Sequence, residues 1–332
     1  MLSTNDVLIA YERINKYLNK TPIFTSTTLN NFLGDHKIYF KMECFQKIGA
    51  FKSRGAFNKL IHLIENNQKP EHVVAVSSGN HAQGIALACK TFNVKATIYM
   101  NKSVSPLKIR ATKSYGAEVI LVNSNQEADQ KASEAEKKGA FFIHPFDDDQ
   151  IIAGQATVAY EALQELNDID INAIFAPCGG GGLLSGSYIA SKLFNENIAI
   201  IGGEPENCND AAISLKNDKL HIFEDLPPSI ADAIRTLSIS EKTFSYLKNI
   251  NEIIETSEEE IIYWTQWLQH LLKTTAEPCS GVAMSAAYKW LEKQNTQKNI
   301  LVIISGGNIS NDTYKEIWEK DHLQKEPKIK KV

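Results

Sequence analysis

Four short segments of the chain combine residue types that can do chemistry. The first is Phe51-Lys52-Ser53, where a lysine stands just before a predicted helix. A lysine amine becomes a nucleophile at neutral pH when burial lowers its pKa, but taken alone most lysines are solvated surface charges. The other three segments are Ser77-Ser78-Gly79-Asn80-His81, Gly179-Gly180-Gly181-Gly182 and Ser305-Gly306-Gly307-Asn308.

The glycine run predicts an anion site. Gly179–Gly182 follows the predicted strand Ala173–Pro177 and precedes the predicted helix Leu183–Phe194. A glycine-rich turn at a helix N-terminus offers free N–H groups and a positive dipole end, which suits a phosphate dianion. A flexible turn is the alternative, but four consecutive glycines are conformationally costly. The run is neither a Walker A loop, since no Gly-Lys-Ser/Thr follows, nor a G-x-G-x-x-G motif, since Leu184 is the sixth residue.

In this order and spacing, the four segments resemble the β-family (fold type II) of pyridoxal-phosphate enzymes, most closely its serine/threonine dehydratase and serine racemase branch. The resemblance runs from about Thr21 to about Ser310. It implies pyridoxal 5′-phosphate as the cofactor, with Lys52 as its covalent attachment and Phe51 packed on the cofactor ring.

The resemblance also assigns roles to residues around the cofactor. Asn80 would hydrogen-bond the phenolic oxygen of the ring, and Ser305 would face the pyridine nitrogen. A hydroxyl there favours β-elimination or racemisation over transamination. The other implied cofactor contacts are Gly179, Gly180, Gly181, Gly182, Leu183 and Glu277. The implied substrate contacts are Ser77, Ser78, Asn80, His81, Arg235 and Thr236.

Catalysis is assigned to Lys52 and Ser78. Ser78 matches the racemase serine that acts as acid and base on the ring face opposite the lysine. From the residues alone, the serine segment is equally a helix N-cap, and Arg235 either grips a distal carboxylate or forms a surface ion pair. Two residues depart from the family pattern: Ala233 replaces a common glycine, and Cys279 replaces the usual serine or alanine.

A cation site is implied by the same resemblance. Glu204 and Asp210 flank Cys208 after a predicted strand. They match a site in racemase-like members that consists of two carboxylates and one backbone carbonyl. Such oxygen ligands suit Mg²⁺, Mn²⁺ or Ca²⁺. Without the resemblance, the segment would be interpreted as a solvated acidic loop.

Short β-branched runs alternate with helical segments, which predicts an α/β fold with parallel sheets. The strands are too many for one sheet, so two open parallel-sheet domains are expected. The resemblance implies a tryptophan synthase β-like arrangement with the active site in the interdomain cleft. Residues 74–150 would form the small domain, and residues 1–73 plus 151–320 the large one. The lysine-rich tail, residues 321–332, is expected to be disordered.

The bulk composition excludes several classes of protein. A formal net charge of −4 gives no field that would recruit nucleic acid or an anionic membrane. The sequence contains no apolar run of the roughly 20 residues that a spanning helix needs. Its first residues lack the regions of a signal peptide, so a cytoplasmic location is expected. Five cysteines spaced at least 30 residues apart argue for free thiols.

The resemblance implies a pyridoxal-phosphate-dependent ammonia-lyase that converts L-serine, L-threonine or threo-3-hydroxyaspartate to a 2-keto acid and ammonia. A serine racemase, possibly bifunctional, is the alternative enzyme. A catalytically silent cofactor-binding regulatory protein is the alternative of another class, although the intact Lys52 argues against it. The expected partners are a small amino-acid substrate and a second copy of the chain in a homodimer.

Overall fold

The computed structural model describes residues 1–77 and 79–329, in which strands and helices alternate. The strands are β1 Ile23–Phe24, β2 Lys37–Met42, β3 His72–Val76, β4 Lys95–Asn101, β5 Glu118–Val122, β6 Phe141–Phe142, β7 Ala173–Pro177, β8 Ala199–Pro205, β9 Glu252–Thr256 and β10 Asn299–Ile304. The helices are α1 Thr4–Ile14, α2 Thr27–Phe32, α3 Lys52–Glu65, α4 Asn80–Thr91, α5 Pro106–Ser114, α6 Asn125–Lys137, α7 Asp149–Glu165, α8 Gly182–Ser191, α9 Asp210–Asn217, α10 Glu241–Leu247, α11 Glu258–Leu272, α12 Pro278–Leu291 and α13 Asn311–Ile317. Short 3₁₀ turns cover Glu43–Phe45, Asp232–Ile234 and His322–Gln324.

Two sheets carry the fold, which confirms the predicted α/β class. The large sheet has the order β1-β2-β10-β7-β8-β9, and the small sheet has the order β5-β4-β3-β6. All strand pairs are parallel except the edge pair β1–β2, which is antiparallel. The small sheet begins at His72, two residues before the expected boundary of the small domain.

The large sheet is buried on both faces, as parallel sheets usually are. Strand β10 shows this directly. Leu301 and Ile303 belong to the apolar cluster on one face, whereas Ile300, Val302 and Ile304 belong to the cluster on the other. This alternation explains why β10 is apolar at every residue from Ile300 to Ile304 rather than at every second residue.

Parallel strands place the chemically interesting segments at one edge. Strands β2, β10 and β7 are neighbours in the large sheet, so their carboxyl ends lie side by side. The chain leaving them leads to Lys52, Ser305 and Gly179 respectively. In open α/β sheets this edge is where ligands bind.

The C-terminal segment differs from the expectation of a disordered tail. The N–H of Ile329 donates to the carbonyl of Phe32 at 3.0 Å, and the Tyr263 hydroxyl donates to the carbonyl of Lys325 at 2.9 Å. Leu323 and Ile329 pack against the large-sheet cluster. The lysine-rich tail therefore has two apolar side chains that pack against the rest of the protein. The expectation for residues 330–332 lies outside the described residues.

Among the described residues, no helix is long and apolar enough to cross a membrane. The five cysteines are free thiols, as their spacing predicts.

Candidate active site

Lys52 is the first residue of α3 and lies partly buried at the edge of the large sheet. Its ammonium donates to the carbonyl of Pro145 at 3.0 Å and lies 5.3 Å from the centroid of the Phe51 ring. Burial lowers the pKa of Lys52 to about 8, although the nearby Glu277 carboxylate acts in the opposite direction. A substantial fraction of the amine is therefore neutral, and so nucleophilic, near physiological pH.

A buried ionic network fixes the helix that carries Lys52. The Arg54 guanidinium donates to both oxygens of Glu43 at 2.8 Å and to Glu161 at 2.9 Å. Lys41 donates to the same Glu161 oxygen at 2.6 Å. Two cations thus face two carboxylates inside the protein, where unpaired charges would be very costly. The network joins the first turn of α3 to β2 and α7.

Asn80 connects the small-sheet part of the chain to the large-sheet part. Its amide nitrogen lies 3.2 Å from both carboxylate oxygens of Glu277, and its oxygen accepts from the Asn308 amide at 2.8 Å. Asn308 also donates to the carbonyl of Ile48 at 2.8 Å. These bonds hold the start of α4 over the carboxyl end of β10.

Glu277 lies at the centre of this group and immediately precedes α12. The Ser305 hydroxyl is 3.4 Å from its carboxylate, and burial raises the pKa of Glu277 to about 7. Gly306 packs closely beside it, because a Cβ there would lie 2.5 Å from a Glu277 oxygen. The structure therefore brings Lys52, Asn80, Glu277 and Ser305 together.

The glycine run forms an uncapped helix start. Gly181 has φ +83° and precedes α8 without a side-chain capping hydrogen bond. A Cβ on Gly180 would lie 2.1 Å from the Phe146 ring, and one on Gly179 would lie 2.9 Å from the Ile234 carbonyl. Leu183 is buried in the first turn of α8. The amide groups of this helix start can thus receive an anion, close to the Pro145–Phe146 segment that Lys52 contacts.

Ser77 and His81, two further residues of the serine segment, have different surroundings. The Ser77 hydroxyl accepts from the N–H groups of Gly79 and Ala82, each at 3.3 Å, so it acts as a local cap. His81 is buried, with one ring nitrogen 3.0 Å from the carbonyl of Ile143. Burial lowers the pKa of His81 to about 3, which keeps its ring neutral. Ser78 lies outside the described residues.

Arg235 and Thr236 bond to their own loop and to Asp210. Arg235 donates to the carbonyl of Pro227 at 2.7 Å, and Thr236 donates to a carboxylate oxygen of Asp210 at 3.1 Å. In the described part of the chain, neither side chain hydrogen-bonds to the group around Lys52. Their assignment as substrate contacts stays a prediction.

Glu204 and Asp210 are both fully buried and lie close enough to repel each other. Backbone N–H groups of Ala211 and Ala212 donate to Glu204, and that of Ile239 donates to Asp210. Burial, with the Asp210 charge, raises the pKa of Glu204 well above its usual range. Burial also raises the pKa of Asp210 to about 6.

This carboxylate pair fits a cation but does not by itself make a complete side-chain site. Neither carboxylate forms an ion pair with any basic side chain that the structure describes. Over residues 1–77 and 79–329, no group of three or more His, Cys, Asp or Glu side chains could hold a metal ion. Cys208 points its sulfur toward the carbonyl of Pro227 at 3.5 Å. A bound cation would need backbone carbonyls and water as its other ligands.

Several residues of the site were not predicted from the sequence. Asn308 belongs to one of the four segments but received no role there. Pro145 and Phe146 carry no sequence signal of their own. The two departures from the family pattern lie close together, because Ala231 and Ile234, which flank the turn of Ala233, share one apolar cluster with Cys279.

Comparison with known proteins identifies the family. A family model described as "Pyridoxal-phosphate dependent enzyme" matches residues 14–306. The chain belongs to this family. Lys52, Asn80, the glycine run and Ser305 all lie within the matched range.

Relatives of this pyridoxal-phosphate enzyme carry related names. The chain is 40% identical over 313 residues to the L-threo-3-hydroxyaspartate ammonia-lyase of Saccharomyces cerevisiae, covering 93% of this chain and 94% of the relative. It is 40% identical over 314 residues to the serine racemase of Schizosaccharomyces pombe, with 93% and 95% covered. A solved threonine deaminase from T.th. superimposes with a TM-score of 0.87 at 35% identity, covering 93% of this chain and 99% of that one. These likenesses confirm the fold type II prediction.

The residues present fit the cofactor of the family. An uncapped helix start lined by glycines suits a phosphate, and an amine whose pKa is about 8 suits covalent attachment to an aldehyde. The buried Asn80, Glu277 and Ser305 offer polar atoms to the rim of an aromatic ring.

Proposed function

We propose that this pyridoxal-phosphate enzyme is an ammonia-lyase that acts on a β-hydroxy amino acid. The observation that carries the proposal is the group formed by Lys52, Asn80, Glu277 and Ser305 at the carboxyl end of β10. The names of two relatives, a hydroxyaspartate ammonia-lyase and a threonine deaminase, support the reaction class. L-serine, L-threonine and threo-3-hydroxyaspartate are the candidate substrates.

Each residue has a proposed part in holding the cofactor. Lys52 would attach it covalently, while Gly179–Gly182 and Leu183 would hold its phosphate. Asn80, Glu277, Phe51 and Ser305 would hold its ring. When bound, pyridoxal phosphate withdraws electrons from the α-carbon of the amino acid and so acidifies the α-proton.

Lys52 is the proposed base. With cofactor and amino acid bound, its neutral Nζ would accept the α-proton. The β-hydroxyl then leaves with a proton as water. The resulting enamine becomes an imine, and its hydrolysis releases the keto acid and ammonia. One water is lost and one is consumed, so the net reaction is deamination.

A substrate panel tests this function. The holoenzyme is incubated with L-serine, L-threonine and threo-3-hydroxyaspartate, and keto acid and ammonia are measured together. We expect equimolar release from at least one of the three. If none of them yields keto acid while the cofactor is bound, the ammonia-lyase assignment is wrong.

Amino-acid racemisation is the second candidate. It is favoured by Ser78, which precedes Gly79 and Asn80, and by the 40% identity to a serine racemase. Racemisation needs an acid on the ring face opposite Lys52, a role that we assign to Ser78. Substrate contacts of Ser77, His81, Arg235 and Thr236 belong to the same proposal.

We also propose that a divalent cation, Mg²⁺, Mn²⁺ or Ca²⁺, binds between Glu204 and Asp210 together with the carbonyl of Cys208. Two buried carboxylates without a basic partner among the described residues support this, because a cation would remove their mutual repulsion. The ligand set is hard, as these ions prefer.

The proposed working form is a cytoplasmic homodimer. Its cleft would lie between a small domain of residues 74–150 and a large domain of residues 1–73 plus 151–320. Exposed apolar side chains such as Phe45, Ile222 and Leu237 suit a partner surface. Sedimentation velocity of the holoenzyme tests the stoichiometry, and a monomer at micromolar concentration would contradict it.

A further inference from the structure

An ion pair joins the two parts of the chain beside the active site. Lys108 lies on α5, next to the small sheet, and Asp232 opens the 3₁₀ turn Asp232–Ile234 in the large-sheet part. The Lys108 ammonium donates directly to the Asp232 carboxylate. No local sequence pattern predicts this pair, because 124 residues separate its members.

The turn that carries Asp232 forms part of the wall of the site. The carbonyl of Ile234 lies 2.9 Å from the position of a Cβ on Gly179, so the turn packs on the glycine run. Ile234 also shares an apolar cluster with Cys279, which lies two residues after Glu277. The turn that begins at Asp232 thus packs on both the glycine run and helix α12.

The charges of Lys108 and Asp232 also affect the pKa of Glu277. Burial is the main reason that the pKa of Glu277 is raised to about 7, and Asp232 raises it further while Lys108 lowers it. Lys108 is therefore near enough to the site to affect the pKa of Glu277.

The two members of the pair differ in exposure. The Lys108 side chain is only 16% exposed, whereas that of Asp232 is 43% exposed. Asp232 can therefore turn toward water at little cost, while Lys108 stays enclosed and needs an anion. Arg235, the other candidate for a distal carboxylate, is already bonded to the carbonyls of Pro227 and Leu226.

We propose that Lys108 recognises the distal carboxylate of a dicarboxylic β-hydroxy amino acid, and that Asp232 occupies this position until the substrate enters. The inference rests on the proposed function and names the substrate class within it. A 3-hydroxyaspartate carries its second carboxylate on the β-carbon, whereas serine and threonine carry none there. Lys108 is thus a specificity-determining residue for the dicarboxylic substrate.

Steady-state kinetics of Lys108→Gln test the proposal. The kcat/KM for threo-3-hydroxyaspartate should fall roughly 10- to 100-fold more than that for L-serine or L-threonine, because a charge-assisted hydrogen bond is lost. The loss should appear mainly in KM, and Lys108→Arg should restore part of it. Lys113 is an exposed residue on the same helix, and Lys113→Gln is the matched control. It should change neither the kcat/KM for any of the three substrates nor their KM. Equal losses for all substrates would overturn the proposal and leave the pair as a link between the domains.

A binding measurement separates this proposal from the proposed function. Succinate and butyrate have the same carbon chain but differ in one carboxylate, and their binding to the holoenzyme is followed by cofactor absorbance. Wild type should bind succinate at least roughly tenfold more tightly than butyrate, and Lys108→Gln should lose this preference. The result does not require turnover, so it stands even if the substrate panel gives no keto acid. A preference that survives Lys108→Gln would refute the role of Lys108.

Discussion

At the scale of single residues, the chemistry depends on how the protein lowers the pKa of one lysine. Burial of Lys52 at the edge of the large sheet brings its pKa to about 8, although Glu277 lies near. An amine with that pKa is about one quarter neutral at pH 7.5, whereas an ordinary lysine is neutral to about one part in a thousand.

This predicts the pH dependence of cofactor capture by the protein without cofactor. Because the neutral amine reacts, the rate constant should rise about tenfold per pH unit below pH 8 and level off above it. Stopped-flow absorbance measures this rate, with Nα-acetyl-lysine as the control, whose rate should climb until about pH 10. If the rate for the protein also climbs until about pH 10, the pKa of Lys52 is not lowered in the folded protein.

Ser78 separates elimination from racemisation. Lys52 alone suffices to remove the α-proton of L-serine, but inversion needs an acid on the opposite face. Ser78→Ala should therefore abolish racemisation and any dehydration of D-serine while sparing much of the L-elimination. Chiral chromatography alongside pyruvate release measures both.

Ser77→Ala is the matched control for that experiment. The Ser77 hydroxyl caps the start of α4, so its loss should lower all activities together. Racemisation at the wild-type rate by Ser78→Ala would contradict the two-base assignment.

At the scale of elements, a buried ionic network fixes the orientation of helix α3. Its members are Arg54, Glu43, Glu161 and Lys41. Arg54→Met leaves two carboxylates facing only one cation. Removing one member of such a buried network costs about 3–5 kcal/mol in the free energy of unfolding. Urea denaturation of the protein measures this loss, and Arg54→Lys should restore part of it.

An exposed ion pair provides the comparison. Lys20 and Glu165 lie 2.9 Å apart on the surface, with side chains 62% and 34% exposed. Lys20→Met should cost about 1 kcal/mol or less. If Arg54→Met costs no more than Lys20→Met, the network does not anchor α3.

Sequence reasoning succeeded where a signal is local and failed where it is not. The strand, glycine run and helix from Ala173 to Ser191 follow one another directly, so composition and order predict them. Arg54 bonds Glu161, which stands 107 residues later, and no pattern in one sequence predicts such a contact. Residues 321–329 show the same limit, because Leu323 and Ile329 find their apolar partners only in the folded large-sheet part.

At the scale of the whole molecule, the site is assembled from distant parts of the chain. Asn80 bonds Glu277 across 197 residues, and Asn308 bonds Asn80 across 228. The family resemblance could predict that these residues belong to one cleft. It could not predict the Lys108–Asp232 pair, the engagement of Arg235 within its own loop, or the packing of Ile234 with Cys279.

A bound cation would stabilise the whole folded chain. Glu204 and Asp210 belong to the interior of the large-sheet part, and the ion would bind only the folded state. A chelator should therefore lower the Tm of the holoenzyme by about 3–8 °C, and Mg²⁺ or Mn²⁺ should restore it. Differential scanning fluorimetry measures the shift.

Two variants complete the cation experiment. Asp210→Asn should remove the response to chelator, whereas Asp218→Asn, at an exposed surface ion pair with Lys248, should keep it. An unchanged melting curve in excess chelator, together with no metal in elemental analysis, would count against the site.

The central claim is that Lys52 deaminates a β-hydroxy amino acid, and keto-acid release by Lys52→Ala tests it most directly. Wild type, Lys52→Ala and the exposed control Lys47→Ala are each saturated with pyridoxal phosphate and given the substrate that wild type turns over fastest. Both covalent attachment and the base for the α-proton are lost in Lys52→Ala, so its keto-acid release should fall to the background of free cofactor, while Lys47→Ala should match wild type. Keto-acid release by Lys52→Ala at the wild-type rate would contradict the account.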